Sequence, residues 1–270
     1  MPFMRKSWGI LFAVAALAAA GCKPSEPSGN ETTAPSPAND TNVVETLPKP
    51  ELALDRAAFL EAVTAAASAH TSGADVRRAQ SALDGRRFAI QLRFGCDGPA
   101  TADRTAALHW TVGPGETSIE VFAKPDLSLA DEPLKSIPDQ TIEAVEGFWI
   151  PRPWETSAAC PAASGSAETA LPTPQLVGIA QYFTAEDSRL GRRSGRPYKA
   201  TRKIASSSEL PGSGLILLLE GRFEAWPGGD VIRCTGSGRN RQPACIASAH
   251  LDRAAFLRPE DASVIAEWRE

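Results

Sequence analysis

The chain has 270 residues, with 28 Lys and Arg against 32 Asp and Glu, and its formal net charge at neutral pH is −4. An acidic chain lacks the positive field that broad nucleic-acid binding requires, so we expect no nucleic-acid partner. Apolar residues make up 43% of the sequence, which is enough to build a substantial hydrophobic core.

The N-terminus has the features of an export segment. Arg5 and Lys6 precede an uncharged apolar stretch of 13 residues at positions 8–20 (WGILFAVAALAAA). This stretch is too short to cross a bilayer, for which about 20 residues are needed. Its length and its basic flank are typical of a signal peptide.

The end of this segment, LAAAGC at residues 17–22, resembles the lipobox of bacterial lipoproteins, although Ala19 stands where Leu is most typical. The resemblance implies cleavage just before Cys22, thioether lipidation of Cys22 and acylation of the new amino terminus. Acyl chains such as palmitate would then hold the chain to a membrane. The alternative is a secreted protein that is cut near Ala20 and keeps Cys22 as a free thiol.

Three parts of the chain follow from this interpretation. Residues 1–21 are the signal peptide, and their removal would take away Arg5 and Lys6 and shift the net charge from −4 to −6. Residues 22–50 are rich in Pro, Ser, Thr, Asn and Glu, so they predict a disordered tether that begins at the lipidated cysteine. Residues 51–270 predict a single β-rich domain that faces the periplasm.

The resemblance also bears on which membrane holds the anchor. Lys23 follows the cysteine. In the enteric sorting rule for lipoproteins, Asp at this position favours retention in the inner membrane. The outer membrane is therefore the favoured location.

The folded part begins with a helical pattern. Apolar residues recur at a spacing of three and four through residues 54–70, Asp55 is a candidate N-cap, and Gly73 a stop. A second short helix is predicted at residues 74–83. The period then changes to alternation, which predicts strands at 87–96, 108–112, 119–123, 142–150, 175–184, 198–206, 214–225, 230–235 and 244–251.

These elements predict an α+β fold: an N-terminal helical pair followed by a mainly antiparallel bent sheet or sandwich. One heptapeptide, LDRAAFL, occurs at both 54–60 and 251–257. The first copy continues a helical pattern. The second follows an alternating one, so we expect a strand there, paired with residues 264–268; a C-terminal helix is the alternative.

Four cysteines remain in the domain: Cys96, Cys160, Cys234 and Cys245. An even number in an exported chain predicts two disulfides, for which three connectivities exist. A turn-rich sequence separates Cys234 from Cys245, which favours a bridge across a hairpin and leaves Cys96 to pair with Cys160.

Two segments are candidates for binding. In the first, FWIPRPW at residues 148–154, an aromatic surface of Trp149, Arg152 and Trp154 is one interpretation, and strand closure of the core is the other. In the second, residues 189–203, basic residues predict an anion-binding face or a solvated loop and edge strand. They are Arg189, Arg192, Arg193, Arg196, Lys199, Arg202 and Lys203.

The sequence contains no nucleophile elbow, phosphate loop or metal-binding motif, and its three histidines, His70, His109 and His250, are widely separated. We therefore expect no metal and no cofactor. The leading hypothesis is a non-catalytic binding or assembly module that contacts an envelope protein or an anionic envelope component. The alternatives are an enzyme acting on peptidoglycan or another envelope glycan, and a carrier of a small apolar ligand with a pocket lined by residues 215–219.

Overall fold

The computed structural model describes residues 51–101, 106–135, 137, 142–162, 175–187, 192–236 and 240–269. The chain divides into two units, Met1–Lys49 and Pro50–Glu270, and the described residues all belong to the second unit. The export segment, Cys22 and the tether lie outside the described residues.

The predicted helical pair is present. Helix α1 (Arg56–Ser72) begins where the Asp55 carboxylate accepts a hydrogen bond from the N–H of Ala58 at 2.9 Å. It ends at Gly73, whose φ of +70° is the left-handed conformation that glycine adopts most easily. Helix α2 (Val76–Gln80) is shorter than predicted. A third short helix, α3 (Glu132–Lys135), was not predicted.

Ten strands lie within the described ranges, and each predicted strand corresponds to one of them. They are β1 (Arg87–Phe94), β2 (Leu108–Val112), β3 (Ser118–Ala123), β4 (Ile142–Trp149), β5 (Val177–Thr184), β6 (Tyr198–Lys203), β7 (Leu215–Phe223), β8 (Ile232–Thr235), β9 (Ala244–Leu257) and β10 (Val264–Arg269).

In the part of the chain that the structure describes, these strands form two sheets. The larger has seven strands in the order β1-β7-β9-β5-β4, with β8 and β10 also paired to β9, and the smaller has the order β2-β3-β6. The ladders are antiparallel except that between β5 and β9, which is parallel. The predicted α+β, mainly antiparallel fold is confirmed.

One hydrophobic cluster joins the two sheets and α1. Trp110, Ile119 and Val121 contribute from the small sheet, and Leu217 and Phe256 from the large one. The alternation read from the sequence divides β3 into a core face and an outer face, whereas β7 is buried on both faces over most of its length. A second cluster, around Leu127, Ile142 and Trp226, includes side chains of β4, β5 and β9.

The two copies of LDRAAFL adopt different structures, as expected. The first lies at the start of α1, whereas the second forms the C-terminal half of β9 and pairs with both β7 and β10. The prediction of a strand is therefore confirmed over the alternative of a helix. Partner strands on both sides decide the outcome, because they outweigh the weak intrinsic preference of the heptapeptide.

Both predicted disulfides are present, Cys96–Cys160 and Cys234–Cys245. Cys234 and Cys245 lie directly opposite each other in the ladder between β8 and β9, which is the hairpin bridge predicted from the spacing. The other disulfide joins the end of β1 to the segment after β4, and closes a loop of 64 residues in sequence separation.

Candidate functional site

The aromatic segment splits into a buried and an exposed part. Phe148 and Ile150 are 1% and 2% exposed and belong to the main core, as the core-closing interpretation requires. Trp149 is half-buried and packs against the second cluster. Trp154 is 62% exposed. No ring contact joins Trp149 to Trp154 among the described residues, so they do not form one continuous aromatic surface.

A single buried arginine fixes the loop that carries Trp154. Arg56, at the start of α1, is 5% exposed. Its Nη2 donates to Pro151 O at 2.6 Å and to Arg152 O at 3.0 Å, and its Nε donates to Glu155 O at 3.0 Å. Its Nη1 donates to Gln91 O of β1 at 3.2 Å. The loop, residues 150–156, is thereby joined to α1 and to the edge of the large sheet; we call it the Trp154 loop.

Burial has an electrostatic cost at this arginine. Desolvation, together with the nearby positive charge of Arg152, lowers the pKa of Arg56 to about 10. The side chain still carries its proton at neutral pH, and the carbonyl oxygens of the loop solvate it in place of water. Sequence reasoning missed this residue, although its spacing from Leu60 and Val63 places a charge on the apolar stripe of the helix.

Arg152 makes further contacts within the Trp154 loop and with the segment that follows it. Arg152 adopts a φ of +47°, and its Nε donates to the Glu155 carboxylate at 2.8 Å. Its Nη2 donates to Ala159 O at 3.3 Å, next to Cys160 and the disulfide to β1. The exposed indole of Trp154 therefore projects from a backbone that is fixed at both ends.

Much of the predicted basic face is engaged in internal contacts. Arg189 lies outside the described residues. Arg192 Nη1 forms an ion pair with Glu143 at 2.9 Å. The backbone N–H groups of Arg193 and Ser194 both donate to the Glu146 carboxylate, at 3.0 and 2.6 Å. Glu143 and Glu146 both lie on β4, and they thus hold this segment to that strand.

The Arg193 side chain contacts aromatic rings and backbone carbonyl oxygens of the domain itself. Its guanidinium lies 4.0 Å from the centroid of the Tyr198 ring and 5.9 Å from that of Trp268. It also donates to Arg196 O at 3.1 Å and to Pro197 O at 2.9 Å. These contacts connect the small sheet with β10 through a cation–π stack.

Lys199, Arg202 and Lys203 belong to β6, which is an edge strand of the small sheet as predicted, and Arg196 precedes this strand. Lys199 pairs with Glu120 at 3.3 Å and lies 4.8 Å from the Phe122 ring centroid. Arg196, Arg202 and Lys203 form no ion pair with another described residue. These three charges are compatible with either original interpretation, anion binding or protection of an edge strand.

A histidine does meet carboxylates in one shallow depression, which is lined by Asp84, Gly85, Arg222, Phe223, Glu224 and His250. His250 Nδ1 lies 3.5 Å from Asp252 Oδ1, at the limit of hydrogen bonding. Tyr182 Oη donates to Glu224 Oε1 at 3.1 Å, and burial beside this carboxylate raises the pKa of Tyr182 to about 12. A tyrosine is protonated at neutral pH even at its ordinary pKa, so the Tyr182 hydroxyl is the donor in this hydrogen bond.

The residues proposed to line a ligand cavity are packed. Leu215, Leu217 and Leu219 are completely buried in the main core. Ile216 and Leu218 face the opposite side of β7 and pack with Ala255 and Leu257 of β9. These side chains therefore contribute to structure on both faces of the strand.

Comparison with known protein families, with curated proteins and with solved structures gives no match for this chain. Within the described ranges, no helix is long and apolar enough to span a membrane. Nor do His, Cys, Asp or Glu side chains in these ranges form a group of three or more that could hold a metal ion.

Proposed function

We propose that this chain is a lipid-anchored protein of the bacterial envelope, held by acyl chains on Cys22, whose domain is a non-catalytic binding module. The Trp154 loop is its contact surface. The export segment and its lipobox-like end support the anchor.

The observation that carries the assignment of the surface is the exposure of Trp154 on a fixed loop. Trp154 is one of only three large apolar side chains that are exposed among the described residues, together with Leu52 and Val264. Tryptophan is enriched at the centres of binding surfaces because it buries a large area and loses little conformational entropy. Three hydrogen bonds from Arg56 to the loop, and a fourth that fixes Arg56 to β1, lower the cost further because the loop is already ordered before binding.

The basic face is a weaker candidate for this role. Arg192 and Lys199 are neutralised by Glu143 and Glu120, and the Arg193 guanidinium is stacked on Tyr198. The depression at His250 is the location on which an enzymatic alternative depends. Its histidine and tyrosine, however, contact carboxylates of their own surroundings, which accounts for their arrangement without a substrate.

The proposal is tested by photo-crosslinking in intact cells. A photoreactive phenylalanine analogue is placed at position 154, at Lys203 on the basic face, or at Val264, which is 45% exposed and provides a matched apolar control. Adducts are identified by mass spectrometry as protein, glycan or lipid. We expect position 154 to yield adducts well above those at Val264.

Equal labelling at positions 154 and 264 would show that the Trp154 loop is not a contact surface. Labelling confined to position 203 would transfer the binding function to the basic face. Recovery of the chain outside the membrane fraction would contradict the anchor.

A further inference from the structure

The most exposed large apolar side chains lie in segments that flank the same strand. Leu52 is 80% exposed and Trp154 is 62% exposed. The N–H of Leu54 donates to Arg87 O at 2.8 Å, and its carbonyl accepts from Ala89 N at 2.8 Å, so the segment that follows Leu52 runs along the free edge of β1.

The Trp154 loop reaches this edge through Arg56. Arg56 follows Leu54 by two residues, and its guanidinium connects Gln91 O of β1 with the carbonyls of Pro151 and Glu155. Leu52 and the Trp154 loop are therefore arranged along one edge of the seven-stranded sheet. The third exposed apolar side chain, Val264, is on β10, which is separated from β1 by β7 and β9.

Charged groups of both signs lie beside Leu52, because Glu51, Asp84, Arg86 and Arg87 line the same depression. Arg87, the first residue of β1, is exposed and forms no ion pair with another described residue. Arg86 lies beside it and pairs with Glu51 at 2.8 Å. A surface of apolar side chains with a free arginine at its border suits the boundary between acyl chains and anionic headgroups.

The position of the anchoring cysteine in the sequence indicates that a membrane lies near this edge. The tether enters the domain immediately before Leu52, and 28 residues separate it from Cys22. The composition of residues 23–50 predicts a flexible coil, and a coil of that length would have a root-mean-square extension of about 30 Å. An anchored bilayer is therefore present at high effective concentration beside this edge, and even weak contacts suffice to hold the domain against it.

We infer that the edge carrying Leu52, Arg87 and the Trp154 loop lies against the phospholipid bilayer in which Cys22 is anchored. The indole of Trp154 inserts at the level of the headgroups, where tryptophan is enriched in membrane proteins, and Leu52 inserts elsewhere along the same edge of the sheet. Arg87 contacts anionic headgroups. This inference rests on the proposed function, because it needs the anchor and identifies what the Trp154 loop binds.

The test uses the full acylated chain in vesicles of zwitterionic and anionic phospholipids with brominated acyl chains, which quench nearby tryptophan fluorescence. The lipoprotein without its signal peptide has five tryptophans, and Trp110 and Trp226 are 2% and 1% exposed. Wild type is compared with Trp154→Phe and Leu52→Ser, and with Val264→Ser as the matched control. Flotation with the vesicles reports anchoring separately.

We expect wild type and Val264→Ser to lose the same fraction of their fluorescence to brominated lipid. Trp154→Phe should lose a clearly smaller fraction, and Leu52→Ser an intermediate one. Chains that float but show the same quenching with and without Trp154 would overturn the inference and leave the anchor intact. Chains that do not float would instead contradict the proposed function. Crosslinks from position 154 to protein alone would also overturn the inference.

Discussion

Arg56 and Arg253 occupy the same position in the two copies of LDRAAFL, yet Arg56 binds backbone carbonyl oxygens and Arg253 binds carboxylates. Arg56 is buried and donates to four backbone carbonyl oxygens. Arg253 bridges β7 and β10 through ion pairs with Glu220 at 2.7 Å and Glu267 at 2.8 Å. The hydrogen bonds that Arg253 donates to Glu220, and secondarily to Glu267, raise the pKa of Arg253, whereas burial lowers that of Arg56.

The same substitution at these two sites should therefore have unequal effects. Arg56→Gln leaves several buried carbonyl oxygens without a donor and should lower the free energy of unfolding by about 3 kcal/mol. Arg253→Gln breaks partly exposed ion pairs and should cost about 1 kcal/mol or less. Urea unfolding followed by circular dichroism measures both values. Equal losses would contradict the structural role given to Arg56.

Trp154 and Phe148 of the aromatic segment differ in burial, so their replacement by Ala should affect stability to different extents. Trp154→Ala should change the free energy of unfolding by less than about 0.5 kcal/mol, because its side chain is mostly in solvent. Phe148→Ala should cost about 3–5 kcal/mol through the cavity it leaves in the core. Thermal and urea unfolding report the two changes. A large loss for Trp154→Ala would show that the indole packs against the domain and is not free to bind.

The two disulfides should contribute unequally to stability. Replacing Cys234 and Cys245 by Ala opens a short loop and should cost about 3 kcal/mol, and replacing Cys96 and Cys160 opens a longer one and should cost about 4 kcal/mol. The second pair also adjoins the Trp154 loop, so its loss should expose the bonds near Trp154 to protease. Limited proteolysis with peptide mapping checks this, and cleavage that is unchanged near residue 154 would speak against it.

The ion pairs of β10 predict a dependence on pH. Hydrogen bonds from Arg269 and then Arg253 hold the pKa of Glu267 below its usual range. Because the pKa of Glu267 is lower in the folded state than in the unfolded state, its ionised side chain stabilises the fold near neutral pH. This stabilisation is lost as the pH falls through the pKa of the folded state. Wild type should be more stable than Glu267→Gln at neutral pH, and the difference should shrink and then vanish as the pH falls below the ordinary pKa of a glutamate. A difference that persists in acid would exclude this origin.

Local signals in the sequence were sufficient for much of this fold. The Asp55 cap, the alternation in β1 and the turn between Cys234 and Cys245 each act over a few residues, so they were predictable. Contacts between distant segments were not. The parallel ladder of β5 with β9, the Arg193 stack on Tyr198 and the carbonyl contacts of Arg56 depend on the tertiary arrangement, which no local pattern encodes.

For the candidate site, too, local features could be predicted from the sequence and contacts between distant segments could not. The sequence indicated the aromatic segment and offered closure of the core by Phe148 as one interpretation, but it did not indicate that Trp154 is exposed on a loop that Arg56 holds. It indicated a basic face, but the carboxylates of Glu143 and Glu120 that neutralise part of it come from other strands. The net charge of a sequence segment is the sum over its own residues, whereas the charge of the surface that it forms also includes residues of other segments that lie next to it in the fold.

The proposed function depends on a membrane anchor at Cys22, and the mass of the N-terminal peptide shows whether this anchor exists. We would label cells with an alkyne analogue of palmitate, purify wild type and Cys22→Ala, and determine the N-terminal peptide by mass spectrometry. The account predicts a wild-type peptide that begins at Cys22 and carries acyl groups, and no label in Cys22→Ala. A wild-type peptide that starts elsewhere, or that contains an unmodified Cys22, would contradict it.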